Sequence, residues 1–118
     1  MAKILVVDNA VPVRVLIKVI LANGGHEVIG EASSGREAVE KYRQLKPDLV
    51  TMDINMPVMD GVKAALQIKL EDSEAKIVMC STMGHLVVQA MQAGATDFIV
   101  KPFDIDRFLD AVNRVLAG

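Results

Sequence analysis

A chain of 118 residues has room for one domain with an ordinary core, and not for two. Its 13 Lys+Arg against 15 Asp+Glu leave it slightly acidic, and with 3% aromatics and no basic stripe it is not expected to bind nucleic acid directly. The single cysteine, Cys80, excludes an intrachain disulfide framework. Together with the lack of a signal-type segment and of any apolar stretch near bilayer length, this sets the expectation of a cytoplasmic protein with no membrane span.

The run Ile4-Leu5-Val6-Val7 predicts a buried strand that stops at Asp8. A helix begins near Val11 with Pro12 in its first turn, where a missing N–H costs nothing. Helical spacing puts Val15, Leu16, Val19 and Ile20 on one stripe, and Gly24-Gly25 ends the helix. A second strand is expected around Val28 to Ala32. Ser34 and Glu37 then make an S-x-x-E capping box, and Ala38, Val39, Tyr42 and Leu45 recur at helical spacing until Pro47.

Leu49-Val50-Thr51-Met52 predicts a third strand, ending on Asp53. Asn55 to Gly61 reads as a loop by its Pro and Gly content, and a third helix follows from about Val62 to Leu70. Ile77-Val78-Met79-Cys80 delivers Ser81. The fourth helix, Leu86 to Ala93, is apolar around much of its circumference and is closed by Gly94. Phe98-Ile99-Val100 delivers Lys101, and Asp104 is an N-cap for a last helix with a stripe of Ile105, Phe108, Leu109, Val112 and Leu116.

Strands that alternate with helices define an α/β domain with a parallel sheet covered on both faces. In such sheets the ligand crevice lies beyond the carboxyl ends of the strands, so Asp8, Asp53, Ser81 and Lys101 should converge there. Two acids, a hydroxyl and an ammonium form a site for phosphoryl chemistry on a carboxylate. Each residue also has an ordinary reading: the aspartates as caps or turn residues, Ser81 in a turn, Lys101 as a solvated loop lysine. Cys80 reads as a small core hydrophobe, and His26 and His85 have no second metal-type ligand at suitable spacing. The methionines read mainly as core fillers, with Met56 and Met59 less easily assigned.

Val7-Asp8-Asn9, Met52-Asp53-Ile54-Asn55-Met56-Pro57 with Asp60-Gly61, Cys80-Ser81 and Lys101-Pro102-Phe103 together resemble a response-regulator receiver domain of the free-standing chemotaxis type, over essentially residues 1–118. The resemblance implies a flavodoxin-like (βα)5 doubly wound five-stranded parallel sheet with strand order 2-1-3-4-5. Chemotaxis regulators of this fold are themselves instances of the strand-end crevice. The resemblance further implies that Asp53 is the phosphoacceptor, that Mg²⁺ is held by Asp8, Asp53 and the backbone carbonyl of Asn55, and that Lys101 and Ser81 contact the phosphoryl oxygens. Phe98 is then the aromatic that turns inward with Ser81 and changes the surface of the fourth helix, fifth strand and fifth helix. Implied partners are a histidine kinase, a target such as the flagellar motor switch or an adaptor, and a phosphatase. The expected protein is monomeric, and it assists its own phosphorylation and dephosphorylation without being an enzyme on a separate substrate.

Three positions depart from the family pattern. Receivers usually carry two adjacent acids after the first strand; here the second place is Asn9, which predicts weakened Mg²⁺ binding. Thr82 replaces the usual Ala or Gly beside the switch hydroxyl. Met83, at a position the resemblance ties to the dephosphorylation rate, cannot orient an attacking water. Asn9 also supports the alternative of a pseudo-receiver, a scaffold that acts without phosphorylation. A phosphohydrolase of the haloacid-dehalogenase kind would need a second Asp two residues beyond its nucleophile, and this chain has Asn55 there.

Overall fold

Four runs rich in aliphatic residues and the mixed segment Glu27–Ala32 become β1 (Lys3–Val7), β2 (Glu27–Ala32), β3 (Leu49–Asp53), β4 (Ile77–Ser81) and β5 (Asp97–Val100) in the computed structural model, which describes residues 1–118. All neighbouring pairs are parallel, and the sheet order is β2-β1-β3-β4-β5, the flavodoxin-like arrangement expected. The helices are α1 (Val11–Asn23), α2 (Gly35–Leu45), α3 (Gly61–Glu71), α4 (Val87–Gln92) and α5 (Ile105–Ala117). No helix is long and apolar enough to cross a membrane.

Because successive strand side chains point to opposite faces, each strand feeds two cores. Ile4, Val6, Leu49, Val78, Cys80 and Ile99 pack with α1 and α5, while Leu5, Val7, Val50, Met52, Ile77, Met79 and Phe98 pack with α2, α3 and α4. Each fully buried Ile, Leu or Phe among them stabilises the fold by about 1.5–3 kcal/mol relative to exposure. β3 and β4 are buried throughout, which is why their sequences read as unbroken apolar runs.

Caps stand where the sequence puts them at Ser34 and Asp104, and Asp60 adds one that was not anticipated. Ser34 Oγ accepts from the Glu37 N–H at 3.2 Å, and the return bond runs from the Ser33 N–H to Glu37 Oε1 at 2.8 Å, one residue earlier than in the usual box. Asp60 and Asp104 cap α3 and α5 through the N–H groups of Lys63 and Arg107.

Two apolar stripes are corrected. On α1 the buried residues are Ile17, Ile20 and Leu21, whereas Val15, Leu16 and Val19 are about half exposed. Aliphatic residues surround most of this helix, so the period alone permits two faces; Arg14 and Lys18, paired with Glu31 of β2, select the one that meets the sheet. On α5, Phe108 and Val112 are buried as expected, but Ile105 is exposed at the first turn and Ala111 and Val115 complete the buried face. The fourth helical segment is also shorter than expected, with a 3-10 turn over Gly84–Leu86 preceding α4.

Candidate functional site

β1 and β3 are adjacent, with Val7 paired to Met52, so the residues that follow them leave the sheet side by side. Asp8 and Asp53 continue the alternation of Ile4/Val6 and Leu49/Thr51, and Lys101 continues that of Ile99; all three belong to the α1/α5 side. Ser81 instead follows Ile77 and Met79 on the α2–α4 side, the face that buries Phe98. Alternation therefore separates the chain's candidates into an acid–lysine group and a hydroxyl–aromatic pair.

The first group is in direct contact. Lys101 Nζ donates to Asp8 Oδ2 at 2.7 Å and lies 3.3 Å from Asp53 Oδ1. Asp8 and Asp53 are both buried. The second oxygen of Asp8 accepts the Ala10 N–H at 2.9 Å, so this residue also fills the turn role open to it in the sequence. Burial pushes the Asp53 carboxyl above the ordinary aspartate range, and the neighbouring Asp8 charge adds to this; Lys101 and the Asn55 backbone N–H pull the other way without cancelling it. For Lys101 burial pulls down, but the bond to Asp8 and the charges of Asp53 and Asp8 prevail, and the ammonium is held above the usual lysine range.

The Ser81 hydroxyl is fully buried and accepts the Met83 N–H at 3.0 Å, while the Ser81 carbonyl accepts the Lys101 N–H at 2.8 Å. Phe98 is buried against the α2–α4 core. Asn9, Asn55, Thr82 and Met83 are exposed around the crevice mouth. Cys80 is buried, as expected, and its thiol is pushed up to about 12 by burial. His26 Nδ1 accepts the Ala2 N–H and its Nε2 pairs with Asn113 Oδ1, both partners remote in the chain.

Whether the donor set suits Mg²⁺ can be tested on charge and atom type. Two carboxylates against one ammonium leave a single negative charge uncompensated in a mostly buried place, and the anionic donors are all hard oxygens, as Mg²⁺ requires. No cluster of three or more His, Cys, Asp or Glu side chains exists, so a Mg²⁺ here would draw its remaining ligands from water, backbone oxygen or the Asn9 amide. The residues fit a weakly held, partly hydrated Mg²⁺.

Some contributors were not anticipated from sequence. The Arg14 guanidinium donates to the Asp8 carbonyl at 2.5 Å and to Glu31 at 3.1 Å, which fixes the backbone of the acidic corner. Its one sequence signal is a basic residue in the helix that directly follows that corner. Gly35 and Gly61 permit close approach: a Cβ on Gly61 would lie 2.2 Å from the Asp53 carbonyl oxygen, and one on Gly35 2.2 Å from that of Met59. The loop after Asp53 is pinned at the same places, by Gly61 N–H to Ile54 O and by Gly35 N–H to Met59 O, both 2.8 Å. Met56 and Met59 pack partly against the α2–α4 core.

A parallel sheet with this order, two strand-end acids and a lysine shared between them define a class. The chain belongs to the response-regulator receiver family: residues 4–113 match the model of the response regulator receiver domain. It is 55% identical to the chemotaxis protein CheY of Bacillus subtilis over 97% of both chains, and 52% identical to that of Thermotoga maritima over 96% of both. Its structure superposes with a TM-score of 0.94 on a chain of the CheX–CheY–BeF3–Mg²⁺ complex from Borrelia burgdorferi, at 36% identity, covering 98% of this chain and 90% of that one. It is a CheY-like receiver.

Proposed function

We propose that Asp53 accepts a phosphoryl group from the phosphohistidine of a histidine kinase in a Mg²⁺-dependent reaction, and that the modification alters the surface of α4, β5 and α5 for a target in chemotaxis. The observation that carries this reading is the shared ammonium: Lys101 lies within 3.3 Å of carboxylates from two different strands. An Asp53 oxygen attacks phosphorus, the bond from phosphorus to the donor imidazole nitrogen breaks, and that imidazole leaves with a proton from solvent. Charge on the transferring group is spread over its three equatorial oxygens, so positioning and neutralisation supply most of the catalysis. Lys101 gives one positive charge to a phosphoryl oxygen. The Ser81 hydroxyl can donate its proton to another while its oxygen still accepts the Met83 N–H. Asp8, Asp53, the Asn55 carbonyl and the Asn9 amide would hold Mg²⁺, which when bound screens the anionic donor from the anionic nucleophile. The Borrelia complex, which contains Mg²⁺ and BeF3, supports this by likeness.

Ser81 and Phe98 share the α2–α4 side of the sheet, so a hydroxyl drawn toward the phosphoryl group opens space on the face where the aromatic packs. Phe98 has no hydroxyl, and packing alone decides its position. The partners that fit are a histidine kinase, a motor-switch or adaptor target, and a phosphatase; CheX in the Borrelia complex is an example of a protein bound to a CheY. Residues 1–118 act as a single monomeric cytoplasmic unit in this scheme. Incubation with acetyl phosphate and Mg²⁺, read by intact mass beside Asp53→Asn, tests the reading. One added phosphoryl group in the parent alone supports it. No addition favours the pseudo-receiver, the second reading, for which the missing acid at Asn9 is the observation.

A further inference from the structure

Val58 stands at φ +68°, in the left-handed region that a β-branched residue rarely enters. It is the centre of a tight turn in which the Met59 N–H donates to the Pro57 carbonyl at 2.7 Å. Its side chain is 78% exposed, so no packing within the chain offsets the strained backbone. The conformation itself is imposed from both sides. Gly61 folds the loop back onto Ile54, and Gly35 clamps Met59, with no room for a Cβ at either glycine. A turn fixed in this way favours Gly or Asn at its centre. The chain holds an exposed apolar branched residue there instead, at the apex of the closed loop that begins at Asp53.

We infer that Val58 is a specificity residue for the protein phosphodonor, an apolar knob that seats the phosphohistidine-bearing domain over Asp53. This rests on the phosphoacceptor reading and deepens it. A small phosphodonor reaches Asp53 without touching the loop apex, whereas a folded domain that brings its histidine to a buried carboxylate has to rest on the crevice rim. The rim offers that domain an apolar contact at a position fixed relative to Asp53, because Gly61 and Ile54 tie the loop's two ends together. A contact of this kind acts on binding of the donor and not on the bond-breaking step.

The test compares the parent, Val58→Asn and Val58→Ile with two donors: acetyl phosphate, and a histidine-kinase phosphotransfer domain that labels the parent. Val58→Asn is expected to melt a few degrees higher, because Asn tolerates this backbone. It should take label from acetyl phosphate at the parental rate. With the kinase domain it should show a KM raised at least tenfold and an unchanged kcat, while Val58→Ile matches the parent. A parental KM in Val58→Asn overturns the inference, and so does a slowed acetyl phosphate reaction, which would mean that the loop itself had moved. If only phosphatase-driven loss of label changes, the contact belongs to that partner and the assignment to the donor is wrong. A parent that takes no label from acetyl phosphate defeats the phosphoacceptor reading and this inference with it; a labelled parent with an indifferent Val58→Asn defeats this inference alone.

Discussion

Lys101 stands closer to Asp8, at 2.7 Å, than to Asp53, at 3.3 Å, although Asp53 carries the proposed chemistry. The ammonium is therefore anchored on β1's acid and reaches toward β3's. In the proposed reaction a cation in that place would compete with the metal for Asp8 and at the same time would meet a phosphoryl oxygen.

Lys101→Ala separates those two effects. Loss of the competing charge should tighten Mg²⁺ binding by about tenfold, since a unit charge a few Å away is worth at least 1.4 kcal/mol at an effective dielectric of about 20. Loss of the phosphoryl-facing charge should slow phosphorylation on the order of 10²-fold, the usual cost of removing one preorganised donor. Without metal the variant leaves two buried carboxylates with backbone N–H donors but no counter-charge, and should lose on the order of 3 kcal/mol of stability. Metal titration, acetyl phosphate kinetics and urea unfolding in chelator check the three outcomes.

The pH dependence of Asp53 has a definite sign. Its folded pKa is raised above the unfolded value by burial, with Asp8 adding to the effect. The folded state thus holds this proton more tightly than the unfolded chain does, and ionisation works against folding. Below the ordinary aspartate pKa of about 3.9 both states are protonated and the residue costs nothing. As pH rises through the raised folded pKa the favourable contribution is lost. In chelator, Asp53→Asn should therefore raise Tm by a few degrees at pH 7 and by almost nothing near pH 3.5. Thermal melts of both proteins across that range decide it; an equal difference at both ends refutes the assigned sign.

Much of this was legible in the sequence, for a physical reason. Strands buried on both faces are mostly apolar, so an ionisable or small polar residue closing each run marks a strand end, and Asp8, Asp53 and Ser81 stand out for that reason, while Lys101 follows the edge strand β5. The strand order came from likeness, because periodicity carries no information about which strands are neighbours. Helix orientation was less accessible. α1 is apolar around most of its surface, and its true face depends on Arg14 and Lys18 meeting Glu31 across 17 and 13 residues. Gly61 read only as part of a loop and Gly35 carried no signal, and only the tertiary structure reveals that each makes room for another segment's carbonyl.

Phe98 supports a prediction about signalling. It is 7% exposed, so Phe98→Ala would open a cavity costing about 3–5 kcal/mol and confuse unfolding with uncoupling. Phe98→Leu keeps much of the volume and should cost less than about 1.5 kcal/mol. Both variants should still accept a phosphoryl group at Asp53, because the aromatic lies on the opposite side of the sheet from the acid–lysine group. Their affinity for the target should change less than twofold on phosphorylation, against the larger change of the parent. Titration of the target with modified and unmodified forms measures this, and a parental response in Phe98→Leu removes the aromatic from the switch.

In the proposed reaction, Asn9 should set how much metal is needed. Its side chain is exposed, so a charge placed there is partly screened by water, unlike the buried charges of Asp8 and Asp53. Asn9→Asp adds a third acid beside the trio and should tighten Mg²⁺ binding by about tenfold, equivalent to about 1.4 kcal/mol, the lower end of what a unit charge contributes to a nearby divalent ion. In chelator the same substitution should lower stability by roughly 0.5–1 kcal/mol, because it places a further negative charge where one is already uncompensated. Excess Mg²⁺ should reverse that loss. Calorimetric titration of the metal and urea unfolding with and without it read both effects. Equal affinity in parent and variant would show that residue 9 lies outside the coordination sphere and that the amide in the parent is not the reason for weak binding.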